Sequence, residues 1–195
     1  MKKEAWKLFP TLVNYYKEAL APDQLSTIFR HCLEVEAGEH SAFVGHAKSS
    51  FNKSSRLIED LEAQYQILKG LKSGLANLLK DYGRELGFEN VTMGNSWFNV
   101  QYPGSILKHH VHPDSKVSAA LCIHADEKSS KLYLENPSPF LNLIRPDTYT
   151  EFTFELAKFR LAPGDLVLFP SWIKHGSGFE ANQSDNRVVI SVNAH

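Results

Sequence analysis

The sequence predicts a mainly β protein with flanking helices, a β-barrel or sandwich that carries N-terminal helices on its outside. Three observations predict it. Helical periodicity dominates residues 1–89. From Asn90 the apolar period changes to two, in short runs broken by proline and glycine. The connections between those runs are too short for the crossovers of a parallel sheet. With no repeat and no low-complexity linker in 195 residues, the chain reads as one domain over 1–195. Residues 1–89 would be mainly helical support, and 90–195 the β core that carries the candidate site.

Taken in order, Leu8 to Tyr16 is β-branched and aromatic and suits a short strand. A helix starts at Pro22-Asp23, where proline fits the first turn. It carries Leu25, Ile28, Phe29, Cys32 and Leu33 at helical spacing, with Gly38 as the stop. Residues 38–54 are small and polar and read as a loop. One long helix follows, its stripe running from Leu57 through Leu61, Tyr65, Leu68, Leu75 and Leu79 to Leu86, with Gly87 ending it. Such a stripe is core packing. Strands are expected over 90–102, 105–112, 116–124, 131–135, 151–157, 159–161, 166–169 and 187–193.

Charge and composition exclude some partners. The net charge is −1, which offers no electrostatic reason to expect nucleic acid or an anionic membrane. No apolar run approaches the roughly 18 residues of a membrane span. The segment after Lys2-Lys3 lacks the apolar stretch of a signal peptide. Cys32 and Cys122 sit far apart in apolar contexts, so free buried thiols and a reducing cytoplasm are expected. Histidine is the unusual count, with nine in all and three within Lys108-His109-His110-Val111-His112.

Those histidines are the first candidate site. In a strand, residues i and i+2 share a face, so His110 and His112 project together while His109 points away. Two imidazoles on one face supply half of a metal site. The bland reading is two surface histidines. Asp114 would share the face if the strand continued past Pro113, which favours a strand end. The second candidate is Ala162 to His175. Pro163-Gly164-Asp165 is a turn, Leu166–Phe169 a buried strand, and His175 lies just beyond the break at Pro170. It gains weight from its pairing with the histidines about 60 residues upstream. The third is Arg187 to Asn193. Alternation puts Arg187, Val189, Ser191 and Asn193 on one face and Val188, Ile190 and Val192 on the other. Facing an interior, Arg187 would be a buried cation in need of an anion, and its planar fork suits a carboxylate. On an open sheet face it would be an ordinary exposed arginine.

These residues resemble the double-stranded β-helix family of 2-oxoglutarate/Fe(II)-dependent oxygenases, a jelly-roll or cupin-like barrel. The likeness is strongest to a branch of oxygenases from marine bacteria and phages. It rests on Asn95-Ser96-Trp97-Phe98-Asn99, His110-x-His112-Pro113, Ser118 to Ile123, Tyr133 to Pro137, Gly164 to Trp172 with His175, and Arg187 to Asn193. The opening Leu8-Phe9-Pro10-Thr11 is also similar. The resemblance implies Fe(II) bound by three side chains, with 2-oxoglutarate and O₂ at the open positions. The superfamily's commoner pattern is His-x-Asp…His. The branch pattern selects His110, His112 and His175, and the literal superfamily pattern replaces His110 with Asp114. The resemblance further implies Arg187 for the distal carboxylate of 2-oxoglutarate, Ser191 beside it, and Asn99 and Ser118 on the pocket wall. Turnover would couple decarboxylation of 2-oxoglutarate to oxidation, typically hydroxylation, of a small-molecule or peptide substrate. Residues 36–56 and 138–150 would select that substrate, the second through Phe140, Leu143, Ile144, Arg145 and Tyr149. Exposed strands in such barrels often pair, making a homodimer a candidate assembly.

Two other readings compete. Gly104 lies six residues before His110, and Gly164, Pro170 and His175 keep the spacing of a second cupin motif. A cupin enzyme or binding protein would not need 2-oxoglutarate. Trp172 stands where that motif has glycine, and Pro113 to Val117 lacks its glutamate. Arg187 discriminates, because a cupin has no use for it. The third reading is a metal-free scaffold.

Overall fold

A computed structural model describes residues 2–138, 143, 146–178 and 180–195. The short strand expected at Leu8 to Tyr16 is realised only at its end, as β1 (Asn14–Tyr16). Helix α1 (Pro22–Glu34) begins at the expected proline, and the Gln24 side chain accepts a hydrogen bond from the Ala21 N–H. It stops four residues before Gly38, where Val35 turns extended.

The single long helix expected over 57–86 is two helices. α2 (Leu57–Gln64) ends at an extended Tyr65, and a short 3₁₀ turn (Gln66–Leu68) precedes α3 (Leu71–Glu85). Gly70 sits at φ +88°, in the left-handed region that no helix interior tolerates. The apolar stripe continues across this break because both helices bury it against one sheet, so periodicity alone hid the interruption. Among the described residues, no helix is long and apolar enough to cross a membrane.

Residues 38–54 are not simply a loop. They contain β2 (Phe43–Val44) and β3 (Ala47–Ser49). Their partners lie far along the chain, and distant pairing leaves little local signature. β2 pairs with β5 (Ile106–Leu107), and β3 with β4 (Met93–Gln101). The remaining strands are β6 (Val117–His124), β7 (Leu132–Glu135), β8 (Leu156–Phe159), β9 (Leu166–Pro170), β10 (His175–Gly176) and β11 (Arg187–Ala194). The two strands expected at 151–157 and 159–161 are one, β8. Upstream of it the Thr150 and Thr153 side chains bond to backbone N–H groups and hold a turn instead.

The major sheet has the order β1-β9-β6-β11-β4-β3, all antiparallel, and a second sheet has the order β10-β7-β8. Late strands inserted between early ones are the crossover signature of a jelly roll. Hydrogen bonding among the described residues keeps the sheets separate, so the expected barrel is an open double-stranded β-helix. Alternation divides two cores. Phe98, Val100, Leu121, Leu168, Val188, Ile190 and Val192 pack outward against Ile28, Ile58, Leu61, Leu79 and Tyr82 of the helices. Ala120, Cys122, Val167, Phe169 and Val189 pack inward with Leu132, Leu134 and Ile173. Cys32 and Cys122 are free and buried, as expected. The inward face of the major sheet also carries the polar residues of the site.

Candidate active site

The chain leaves β9 at Pro170, turns so that Ile173 N–H bonds to Pro170 O at 2.9 Å, and enters β10 at His175. There the backbones of His175 and His110 exchange two hydrogen bonds of 2.9 Å, and His112 N–H bonds to Ser171 O at 3.1 Å. The expected strand 105–112 is regular only over β5, yet this pairing keeps 110–112 extended. Gly176 permits it, since a Cβ there would lie 2.7 Å from Leu107 O. His110 and His112 therefore project to one side. His109 points away and is held between the Glu135 carboxylate at Nδ1 and the Gly178 N–H, 2.9 Å from Nε2.

His110, His112 and His175 each offer a ring nitrogen within 4.8 Å of the others. The ring of His110 donates from Nδ1 to Lys108 O at 2.8 Å, and that of His175 to Ile173 O at 2.9 Å. These bonds leave Nε2 as the lone-pair nitrogen in both rings, the tautomer a metal needs. Phe169 and Trp97 flank the cluster, with ring centroids 4.7 Å from His175 and 5.8 Å from His112. Burial, reinforced by the neighbouring imidazoles, holds all three below the ordinary histidine value, His112 at about 4 and His175 at about 3. At neutral pH the set is uncharged and ready to bind a cation.

That burial has a pH signature. Above pH 6.5 the histidines are neutral whether the chain is folded or not. Below it the unfolded chain takes up protons that the folded trio refuses, so metal-free stability falls as pH drops toward 4. At about 1.4 kcal/mol per pH unit, His112 and His175 together remove at most about 4 kcal/mol by pH 5. Urea unfolding of metal-free protein at pH 7 and pH 5 measures this, and equal stabilities would contradict it.

Across the pocket stands Arg187, 6% exposed at the start of β11. It has no acidic partner among the described residues; its guanidinium Nη1 donates to Gln101 Oε1. Burial lowers its pKa, and the nearby Cys122 thiol, raised to about 11 by burial, provides no anion at neutral pH. Asn99 Nδ2 donates to Ser191 Oγ at 3.4 Å, and Asn99 Oδ1 has no partner among the described residues. Ser118 donates to Asn193 Oδ1 at 2.9 Å and lies 2.8 Å from Ser171 Oγ.

One pocket is lined by His110, His112, His175, Arg187, Ser191, Asn99 and Ser118 together. Asp114 is not among them: it is exposed in the turn after Pro113 and does not reach His175. Sequence reasoning missed Gln101 and His40, which also line the pocket. Gln101 was within reach, because alternation from Asn99 places it on the same face. His40 carries no periodic signal and enters on the short stretch ahead of β2. Phe43 of β2 lines the pocket with it, and both side chains are half-buried. In the other expected substrate loop, Leu143 and Tyr149 are exposed, while Phe140, Ile144 and Arg145 lie outside the described residues.

Residues 95–193, just over half of the chain, match the model of the family described as "Putative 2OG-Fe(II) oxygenase". The chain belongs to this 2OG-Fe(II) oxygenase family. It is thus an oxygenase that uses Fe(II), 2-oxoglutarate and O₂. Among solved structures, the oxygenase fold is shared with HygX from Streptomyces hygroscopicus, solved with nickel, 2-oxoglutarate and hygromycin B bound. The TM-score is 0.64 at 10% identity, covering 94% of this chain and 82% of that one. A prolyl hydroxylase from Trichoplax adhaerens, in complex with a hypoxia inducible factor peptide fragment, gives 0.66 at 13% identity, covering 93% and 82%. A Pseudomonas putida prolyl-4-hydroxylase gives 0.53 at 15%, covering 94% and 91%. No curated protein matches the sequence.

Proposed function

We propose that this oxygenase is a hydroxylase whose Fe(II) is held by His110, His112 and His175, and whose 2-oxoglutarate is held through its distal carboxylate by Arg187. One observation carries the reading: three neutral imidazoles line the same pocket as a buried arginine that has no acidic partner among the described residues. The donor set fits the metal, since imidazole suits iron and three side chains leave coordination positions open. The bound iron, with 2-oxoglutarate and O₂, supplies oxidative decarboxylation to succinate and CO₂ coupled to oxidation of a substrate C–H bond.

The chain's residues bind, orient and exclude water. The backbone carbonyls of Lys108 and Ile173 fix the tautomers of His110 and His175. Arg187 meets the carboxylate in a buried setting where charge-assisted hydrogen bonds are strongest. Ser191 sits two pleats away on the same face, beyond Val189, and Asn99 and Ser118 offer polar atoms to the remaining oxygens. Phe169, Trp97 and Leu132 keep the site dry. A single domain over 1–195 accords with the core that joins the helices to the major sheet.

The substrate is a small molecule or a peptide, the two kinds seen with the structural relatives. His40 and Phe43, half-buried on the pocket wall, are placed to meet it. The deciding experiment follows succinate formation from 2-oxoglutarate with and without added Fe(II). Iron-dependent succinate is expected, and its absence from metal-loaded, folded protein would refute the reading.

A further inference from the structure

The carboxamide of Gln101 is fixed in orientation by its neighbour. The residue is 1% exposed, and Oε1 accepts from Arg187 Nη1. A guanidinium has only donors, so the amide oxygen must be the atom that faces it. The NH₂ group is then turned elsewhere. Nε2 is buried and has no acceptor among the described residues. A buried donor left unpaired is costly, and native interiors keep few of them. Gln101 and Arg187 stand directly opposite each other on β4 and β11, and both line the pocket. Together they form a pair of donors with no negative group among the described residues to receive them.

We propose that Gln101 is a second binding residue for the distal carboxylate of the co-substrate. Oε1 holds the guanidinium in place, and Nε2 donates to the carboxylate beside it. The proposal rests on the assignment of Arg187 to 2-oxoglutarate made above. A planar carboxylate has two oxygens and suits two donors of different kind. A 2-oxo acid without the distal carboxylate gives Gln101 nothing to bind.

The test uses Mn(II)-loaded protein without oxygen, titrated calorimetrically with 2-oxoglutarate and with 2-oxopentanoate, the same carbon chain lacking the distal carboxylate. The Gln101→Met variant is expected to bind 2-oxoglutarate about 10–100-fold more weakly, as for loss of a buried hydrogen bond to a charge. Its affinity for 2-oxopentanoate is expected to stay unchanged. Equal weakening for both acids, or none for either, overturns the proposal. Should Gln101→Met fail to fold by circular dichroism, Gln101→Glu decides. It hands Arg187 an internal carboxylate, so the fold is kept and 2-oxoglutarate affinity falls at least about 100-fold. Unaltered affinity in that variant overturns the proposal. Wild-type protein that binds Mn(II) but not 2-oxoglutarate overturns this proposal and the reading of Arg187 together. Wild-type binding with unaffected variants overturns the role of Gln101 alone.

Discussion

His112→Ala is expected to lose Fe(II) and 2-oxoglutarate turnover, whereas His112→Asp keeps both. With three protein ligands, each carries a large share of the metal affinity. At about 3 kcal/mol per ligand, removing one weakens binding by roughly 10²–10³-fold. The resemblance puts His112 where the superfamily has a carboxylate. Asp there restores the two-histidine, one-carboxylate set that serves non-haem iron oxygenases. It also places a negative charge beside the metal and removes a ring that must stay neutral in a buried site. Turnover of His112→Asp is expected within about tenfold of wild type, a cost near one misplaced ligand bond. Asp114→Ala is expected to change nothing, because Asp114 is exposed and outside the cluster. Metal content after desalting and succinate yield report both properties. A His112→Ala protein that keeps its iron, or an Asp114→Ala protein that loses it, would break the all-histidine assignment.

The sequence made the β core legible because that signal is local. β6, β9 and β11 lie within one residue of their expected spans at each end, and β4 ends within one residue of its own while starting three residues later. Alternation placed Arg187, Ser191 and Asn193 on one face, and the pocket lines that face. What the sequence hid depends on distance along the chain. β3 exists because Ala47 and Ser49 find Gln101 and Asn99, more than 49 residues downstream. The apolar stripe hid the break at Gly70, since burial repeats on both sides of it. The choice between His110 and Asp114 was open in the sequence, because Pro113 can either continue or end the extended run. The backbone exchange between His110 and His175 brings His110 into the cluster, and the turn after Pro113 leaves Asp114 outside.

Arg187→Met is expected to move stability and co-substrate binding in opposite directions. In the metal-bound, 2-oxoglutarate-free protein, a cation is buried with one neutral hydrogen-bond partner and no acid among the described residues. Burying such a charge costs free energy that an apolar side chain of similar length does not. Met at 187 also fits the inward core beside Val189 and Cys122. Gln101 Oε1 loses its partner, at a cost of about 1 kcal/mol. The net expectation is a gain of about 1–3 kcal/mol in unfolding free energy, as when other buried ionic groups are replaced by packed apolar ones. Binding responds the other way. Losing a bidentate, charge-assisted pair worth about 4 kcal/mol weakens 2-oxoglutarate by roughly 10³-fold. The opposition separates a functional arginine from a structural one. An arginine kept for the fold would make the variant less stable and leave 2-oxoglutarate affinity intact. One held for a ligand makes the empty protein more stable when removed, and abolishes the rise in melting temperature that 2-oxoglutarate gives the wild type. Thermal melts of Mn(II)-loaded wild type and variant, each with and without 2-oxoglutarate, measure both signs in one experiment. A destabilised variant that still gains from 2-oxoglutarate would assign the co-substrate's carboxylate to some other group.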